Sequence, residues 1–332
     1  MNEDELIAQM RQVLPVGERT EVWSGDDCAQ IATPEGHTII TTDVLVDGYH
    51  FRRDWSDATQ VGARAAAQNL ADIASQGGLP TALVVSITIP KGFDLQWILQ
   101  MVRGFAGEVA PTGAGVVGGD LSGGQQLTIA VTALGYCPYG GVLRSGARPG
   151  DTVTVAGTLG YSAAGYALLA GGHVPTDPHA ASALGELEPF VEVFRTPHPP
   201  YEAGPQAAKA KASAMMDLSD GLTTDATRMA KASGVTIDLD HTLLNSFASA
   251  LNAPAMACKA DAWKWILDGG EDHSMLATFP PQATLPPGFV PIGRVTSKVP
   301  SQPLRLDGVA VGAGGWDHLR PSDQNGQDHN GQ

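Results

Sequence analysis

Short apolar segments alternate with turns rich in Gly and Asp along almost the whole chain. The apolar spacing switches between helical and strand periods without a fixed order, and 40 Gly and 23 Pro in 332 residues supply frequent turns. This irregular alternation predicts an α+β or mixed α/β fold rather than a strict doubly wound sheet. The polar, turn-rich stretch Arg144–Asp151 predicts a boundary between two domains, residues 1–143 and 144–320. Residues 321–332 are predicted to form a disordered tail.

Hydrophobic periodicity places the individual elements. Helices are predicted at Glu3–Leu14, Thr59–Ser75, Leu95–Ala110, Ser162–Leu169 and Thr223–Ala232, with a further helix ending over Trp263–Leu267. Strands are predicted at His37–Thr42, Leu83–Ile89, Leu127–Leu134, Thr152–Ala156, Ala214–Asp217, Val235–Leu239 and Met275–Phe279. The proline-rich residues 171–212 are predicted to be irregular.

The charge balance narrows the class of partner. The chain has 20 Lys+Arg against 35 Asp+Glu, a net charge of −15, which would repel a nucleic acid or an anionic bilayer. No apolar stretch approaches the ~18–20 residues of a membrane span, and the acidic start Met1–Glu5 is unlike a signal peptide. Cys28, Cys137 and Cys258 are odd in number and far apart, which fits a reducing compartment. We therefore expect a cytoplasmic enzyme with no nucleic-acid or membrane partner.

Carboxylates recur where apolar segments meet Gly-rich turns. The positions are Asp26–Asp27, Asp43, Asp72, Asp120, Asp217, Asp220 and Glu271–Asp272. Any one of them has an ordinary explanation as a turn or N-cap residue. Their repetition, and the apolar context of Asp72 and Asp217, instead favours part-buried carboxylates that need a cationic partner. Oxygen ligands without His or Cys clusters favour Mg²⁺ or Mn²⁺ over zinc.

Several common nucleotide and nucleophile motifs are missing from the sequence. There is no G-x-x-x-x-G-K-[ST], no convincing G-x-G-x-x-G before a helix, no G-x-S-x-G elbow and no protein-kinase signature set. A phosphate-handling function would therefore depend on a divalent cation, backbone N–H groups and a few Arg side chains.

An ordered set of motifs resembles the thiamine-monophosphate kinase family of the aminoimidazole ribonucleotide synthetase superfamily. The matching segments are GDDCA at 25–29, TTDVLVDGYHF at 41–51, NLADIASQGG at 69–78, GGDLSGG at 118–124, RSGARPGD at 144–151, DLSDGL at 217–222, GGED at 269–272 and GWDHL at 315–319. The resemblance implies a two-domain fold whose N-terminal sheet domain dimerises and whose C-terminal domain closes over nucleotide and substrate. It also implies that ATP and thiamine monophosphate give thiamine diphosphate and ADP.

The resemblance also implies roles for individual residues. The implied Mg²⁺ ligands are Asp27, Thr41, Thr42, Asp43, Asp72, Asp120, Asp217 and Asp220, with Asp43, Asp72, Asp120 and Asp217 closest to the chemistry. The implied ATP contacts are Gly119, Asp120, Arg144 and Ser219, and the implied substrate contacts are His50, Glu271 and Trp316. Several Mg²⁺ ions would neutralise the phosphates, because two anionic groups must be brought together in line. Asp26 could equally shape only its turn, His50 could be a surface histidine, and Trp316 could be a packing anchor.

Two alternatives stay open at this point. The first is a sister enzyme of the same superfamily, such as aminoimidazole ribonucleotide synthetase, selenophosphate synthetase or a hydrogenase-maturation protein. The last two would want a reactive Cys in an N-terminal Gly-rich loop or at the C-terminus, whereas here Cys28 lies within the GDD turn and the chain ends Asn330-Gly331-Gln332. The second is a non-catalytic nucleotide or thiamine-phosphate binding protein. This second alternative is supported by the positions at which the chain departs from the family's sequence pattern, which are Thr196, Pro200 and His273-Ser274.

Overall fold

The computed structural model describes residues 9–10, 12–22, 30–32, 37–180 and 184–315. These divide into two compact units. The first unit comprises Met1–Ala74, Gly78–Pro138 and Thr176–Ala180, and the second comprises Ser75–Gly77, Tyr139–Pro175 and Ala181–Gln332. The predicted turn-rich stretch Arg144–Asp151 lies just inside the second unit.

The first unit is built on a four-stranded sheet with the order β3-β6-β4-β5. Its strands are β3 (Ile39–Val46), β4 (Leu79–Pro90), β5 (Gly115–Gly124) and β6 (Thr128–Tyr136), and a separate pair is formed by β1 (Thr20–Val22) and β2 (Gln30–Ile31). Its helices are α1 (Ala58–Ser75) and α2 (Leu95–Val109). β6 is antiparallel to β3 and β4, whereas β5 is parallel to β4.

Side-chain alternation along the strands gives this sheet two different faces. On β6, every second residue is buried, including Ile129 and Val131, and the residues between them are only half-buried. The two helices approach each other closely through glycine, since a Cβ on Gly62 would lie 1.8 Å from the Met101 carbonyl oxygen. One face of the sheet therefore belongs to the core, and the opposite face, with Ile40 67% exposed, does not.

The second unit contains a seven-stranded mixed sheet with the order β13-β12-β9-β11-β7-β10-β8. The strands are β7 (Thr152–Ala156), β8 (Ala214–Leu218), β9 (Thr236–Leu239), β10 (Ser274–Phe279), β11 (Phe289–Thr296), β12 (Leu304–Leu306) and β13 (Val309–Ala310). The helices are α3 (Tyr161–Ala170), α4 (Glu188–Arg195), α5 (Ala203–Lys209), α6 (Leu222–Ser233), α7 (His241–Ala250), α8 (Asn252–Cys258) and α9 (Ala262–Asp268). β8 and β10 are buried at every position, which explains why apolar residues predominate in both.

Most predicted elements are confirmed to within a few residues, and two predictions are wrong. The strand predicted to stop at Thr42 continues through Asp43 to Val46, because the ladder with β6 holds the backbone extended past the carboxylate. The region 171–212 was predicted to be irregular but contains α4 and α5. Pro189 and Pro205 lie near the starts of these helices, where the missing N–H is tolerated.

Three other predictions from the sequence concern membrane-spanning helices, the C-terminal tail and the cysteines. Within the described ranges, no helix is long and apolar enough to cross a membrane. Cys137 and Cys258 are both partly buried, and burial raises the pKa of each thiol. Cys28, the tail 321–332 and most of the predicted helix Glu3–Leu14 lie outside the described residues.

Candidate active site

In the first unit, β3 and α1 bring two of the predicted ligands into contact. The Thr41 hydroxyl donates a hydrogen bond to Asp72 Oδ2 at 2.6 Å. Asp43 follows Thr41 by two residues on β3, so it lies on the same face of the sheet as Thr41. All three side chains are half-buried. The result is a small oxygen-rich group, of the hard-donor type that suits Mg²⁺.

Thr42 lies on the other face of the same strand. Its hydroxyl donates to the Val131 carbonyl oxygen at 2.8 Å and accepts from the Thr132 hydroxyl at 3.2 Å. The Thr42 side chain therefore points away from Asp43 and Asp72 within one copy of the chain. Its predicted role as a ligand stays a prediction.

Asp120 and Gly119 lie on β5, at the opposite edge of the sheet from β3. The strand register joins Asp43 to Val131, Val131 to Val85, and Val85 to Gly119, so Asp43 and Gly119 share one cross-sheet row. Three interstrand spacings of about 4.8 Å separate β3 from β5, about 14 Å in all. Asp120 faces the other side, where its Oδ2 accepts from the Ser122 hydroxyl at 2.7 Å. Asp43 and Asp120 of one chain are thus too far apart to share a cation.

An apolar cavity of about 120 Å³ lies beside the Gly-rich part of β5. Its lining includes Val85, Met101, Phe105 and Leu121 together with Gly119. Gly119 is required by the packing, because a Cβ there would lie 1.9 Å from the Val85 carbonyl oxygen. The cavity could accept a flat apolar group next to the predicted nucleotide contacts.

His50 lies in the turn that follows β3. Its Nδ1 accepts a hydrogen bond from the Val46 backbone N–H at 3.0 Å. A neutral imidazole in this position must carry its proton on Nε2, so it presents an N–H donor there. The same turn holds Arg53, whose Nε donates to Asp47 Oδ2 at 2.7 Å and whose guanidinium lies over the Phe93 ring.

In the second unit, two loops are joined side by side. β8 ends at Leu218, and Ser219 and Asp220 form the loop that follows it. The segment Gly269–His273 runs beside this loop. The Glu271 N–H donates to the Ser219 carbonyl at 2.8 Å, and the His273 N–H donates to the Leu218 carbonyl at 3.0 Å. His273 Nδ1 also lies 3.2 Å from Asp217 Oδ2. Asp217 is 9% exposed, so the prediction that it is part-buried is confirmed.

Asp225 and Arg228 were not predicted from the sequence as part of the site. The Asp225 carboxylate has no exposed surface, accepts from the Asp220 N–H at 3.0 Å and accepts from Arg228 Nη1 at 2.8 Å. Arg228 also donates to Asp220 Oδ2. Burial, followed by the nearby Asp217 charge, raises the pKa of Asp225 to about 7. The charges of Asp217 and Asp220 add to the effect of burial, and a bound cation would relieve this crowding of carboxylates.

The two carboxylates of the GGED segment differ in role. Asp272 is buried and accepts from the Thr158 hydroxyl at 2.8 Å, the Gly160 N–H at 2.8 Å and the Tyr161 N–H at 3.0 Å, so it caps the start of α3. Burial raises the pKa of Asp272, although these hydrogen bonds oppose the shift. Glu271 is half-buried, with a left-handed backbone at φ 67°. The turn therefore uses Asp272 for structure.

Three other predicted site residues are Arg144, Asp27 and Trp316. Arg144 is exposed, and its carbonyl oxygen accepts from the Ser233 hydroxyl at 2.9 Å. Asp27 and Trp316 lie outside the described residues. In the described part of the chain, no three His, Cys, Asp or Glu side chains form a ready metal site. The donor chemistry at Thr41 and Asp72 fits Mg²⁺, because both side chains offer oxygen atoms. Asp220 also offers carboxylate oxygens, one of which is paired with the Arg228 guanidinium in this structure.

The chain is similar to known proteins along most of its length. The model "AIR synthase related protein, N-terminal domain" matches residues 25–137, and its C-terminal counterpart matches residues 148–281. These matches define a two-domain protein of the AIR synthase related class. Thiamine-monophosphate kinase of Mycobacterium tuberculosis is 41% identical over 307 residues, which cover 91% of this chain and 87% of that protein. The Corynebacterium glutamicum enzyme of the same name is 40% identical, with 82% and 81% coverage.

A solved structure agrees with these relatives. AaThiL, from Aquifex aeolicus, complexed with AMPPCP and TMP, is 29% identical, with a TM-score of 0.77 and coverage of 95% of this chain and 96% of that one. The chain belongs to the thiamine-monophosphate kinase family. The two-domain mixed fold expected from the sequence is thereby confirmed.

Proposed function

We propose that this chain transfers the terminal phosphoryl group of ATP to thiamine monophosphate, giving thiamine diphosphate and ADP. The observation that carries the proposal is 41% identity over 91% of the chain to a thiamine-monophosphate kinase. The solved relative that binds AMPPCP and TMP together supports the same pair of substrates. The nucleophile is a phosphate oxygen that is largely ionised at neutral pH, so no strong protein base is required.

We propose Asp43 and Asp72, with the Thr41 hydroxyl, as one set of Mg²⁺ ligands in the first unit. Asp217 and Asp220 are the proposed ligands in the second unit. Bound Mg²⁺ would neutralise the phosphate oxygens and align them for in-line transfer. The chain's own contribution is to hold these carboxylates: Thr41 fixes Asp72, and His273 fixes Asp217.

Other residues are proposed to bind and orient the two substrates. The exposed Arg144 guanidinium suits phosphate oxygens, and Ser219 lies in the loop after β8. The cavity beside Gly119 suits the base of the nucleotide. His50 would offer its Nε2–H to the acceptor phosphate. Glu271 and Trp316 stay proposed contacts to the thiamine part.

We also propose a homodimer that pairs the first units. The face of the sheet opposite the helices exposes Ile40 at 67% and Val44 at 43%, and apolar surface of this kind marks association sites. Within one chain, β3 and β5 form the two edges of the sheet, with Asp43 on one and Asp120 on the other. A second copy that sets its β5 beside β3 would place the strand that carries Asp120 next to the strand that carries Asp43, with the two side chains on opposite faces of the joined sheet. We also propose a cytoplasmic location, on the odd number and wide separation of the three cysteines.

The testing experiment is product analysis with ATP, Mg²⁺ and thiamine monophosphate, with free thiamine and aminoimidazole precursors as competing acceptors. Stoichiometric thiamine diphosphate and ADP, abolished by EDTA, is the expected result. Turnover of an aminoimidazole precursor alone would transfer the assignment to a sister enzyme. Mg²⁺-dependent ATP binding without any turnover would indicate a binding protein instead.

A further inference from the structure

We propose that Asp225 is a positioning residue that sets the orientation of Asp220 for cation binding. The inference rests on the proposed function, which makes Asp220 a Mg²⁺ ligand. Asp225 itself is fully buried and lies behind the loop, bonded to it through the Asp220 N–H at 3.0 Å. It would therefore act through Asp220 rather than by touching the substrates.

The start of α6 explains why a carboxylate is needed at this position. Gly221 precedes the helix with φ 104°, and a Cβ there would lie 2.6 Å from the Asp268 carbonyl oxygen, so no capping side chain fits. Asp225, in the first turn of α6, reaches back past Gly221 to the Asp220 N–H and ties the preceding loop to the helix. This resembles a capping box, in which a first-turn carboxylate bonds a backbone N–H at the helix start. The loop and the helix are thereby fixed to each other.

Arg228 gives the second part of the argument. Its guanidinium donates to both Asp220 and Asp225, and its side chain is 43% exposed. Because Asp225 supplies a second acceptor, Arg228 can release the Asp220 oxygen to a cation without losing its own partner. Asp225 therefore holds the backbone of Asp220 and also keeps the competing guanidinium paired.

The test compares Asp225→Asn with Asp225→Ala in the full chain, because Asn keeps an acceptor oxygen for the Asp220 N–H and Ala does not. The readout is Mg²⁺ affinity by calorimetry, together with amide hydrogen exchange at Asp220 by NMR. We expect Asp225→Ala to weaken Mg²⁺ binding about 10-fold or more and to expose the Asp220 amide to exchange. Asp225→Asn should stay within about 3-fold of wild type in Mg²⁺ affinity and keep the amide protected.

Asp238→Ala is the matched control. Asp238 is also a buried carboxylate of the second unit, accepts from the Gly308 N–H at 2.9 Å and lies 3.5 Å from an Arg294 nitrogen. Its loss should lower stability but leave Mg²⁺ affinity unchanged. Equal losses in Asp225→Asn and Asp225→Ala would overturn the inference, because charge alone would then explain the effect.

Three further outcomes separate a failure of the positioning inference from a failure of the proposed function. If Asp225→Ala fails to fold, amide hydrogen exchange at Asp220 in the wild type tests the inference instead. An unprotected Asp220 amide would contradict the proposed hydrogen bond to Asp225. If the wild type shows no thiamine-monophosphate turnover, the proposed function fails, yet the Mg²⁺ titration still tests Asp225. Normal wild-type turnover with unchanged Mg²⁺ affinity in Asp225→Ala would sink only the positioning inference.

Discussion

His273 Nδ1 lies 3.2 Å from Asp217 Oδ2, and both residues are buried. A buried carboxylate that loses its hydrogen-bond partner costs about 1–3 kcal/mol. We expect His273→Ala to lower the free energy of unfolding by about that amount, measured by denaturant titration. His273→Asn should cost less, because Asn tolerates the left-handed backbone at φ 51° and supplies an amide donor. His241→Ala is the control, since that ring is exposed and stacks on the Trp263 ring.

The raised pKa of Asp225 predicts how stability depends on pH. A carboxyl whose folded pKa is raised from 3.8 to about 7 favours the folded state below pH 4, and this contribution is lost as pH rises to about 7. The loss for this group is at most about 4 kcal/mol, at about 1.36 kcal/mol per pH unit. Unfolding titrations in EDTA should show this decline in the wild type and a smaller one in Asp225→Asn. Parallel pH profiles for the two proteins would refute the prediction.

The proposed ligands predict a loss of rate without loss of fold. Asp43→Asn and Asp217→Asn each remove one ligand charge and should lower kcat by at least about 100-fold. The assay is thiamine diphosphate formation at saturating ATP and Mg²⁺, with circular dichroism to show an intact fold. Asp94→Asn, in the exposed N-cap of α2, serves as a control with normal turnover expected. Near-normal kcat in either ligand variant would remove that residue from the proposed site.

Mixed dimers test whether two copies build one site. Asp43→Asn and Asp120→Asn should each be inactive alone. If Asp43 of one copy works with Asp120 of the other, mixing equal amounts under subunit exchange should restore about a quarter of wild-type activity, because half of the dimers regain one of two sites. No recovery after demonstrated exchange would mean that each chain supplies both carboxylates to its own site.

The exposed sheet face predicts where association can be broken. Val44→Asp places a charge on that face and should convert the dimer to a monomer in light scattering after size-exclusion chromatography. Val290→Asp is the matched control, since Val290 on β11 is 41% exposed, close to the 43% of Val44. Loss of the dimer in both variants, or in neither, would argue against this face as the interface.

Sequence reasoning succeeded where the local signal and the packing agreed. The helix predicted at Thr59–Ser75 is α1 almost to the residue, because its Ala-rich pattern, its Gly stop and its burial all favour the same helix. It failed at Asp43, where strand pairing outweighs the preference of Asp for turns. It also missed α4, where a proline near the helix start resembles a loop signal.

The candidate site could be predicted in parts. Asp72 and Asp217 carry a visible signal, a carboxylate inside an apolar run, and the structure places a partner beside each one. Asp225 has no such signal, because it reads as an ordinary residue in the first turn of a helix. Its position four residues after Gly221 was the available clue, since a glycine cannot supply a side-chain cap. The partners of Asp43 and Asp120 depend on strand order, which no local pattern encodes.

Asp43 and Gly119 lie in one row of paired residues across the sheet, so their positions depend on the register of the strands. Activity therefore depends on correct strand pairing. A slip of β3 by one residue against β6 would turn Thr41 and Asp43 outward and bring Thr42 and Val44 inward. Such a chain could keep its strand content and its overall compactness while lacking the carboxylates at the correct face. Spectroscopic signs of folding would then overstate the active fraction of a preparation, and active-site titration would be the sounder measure of quality.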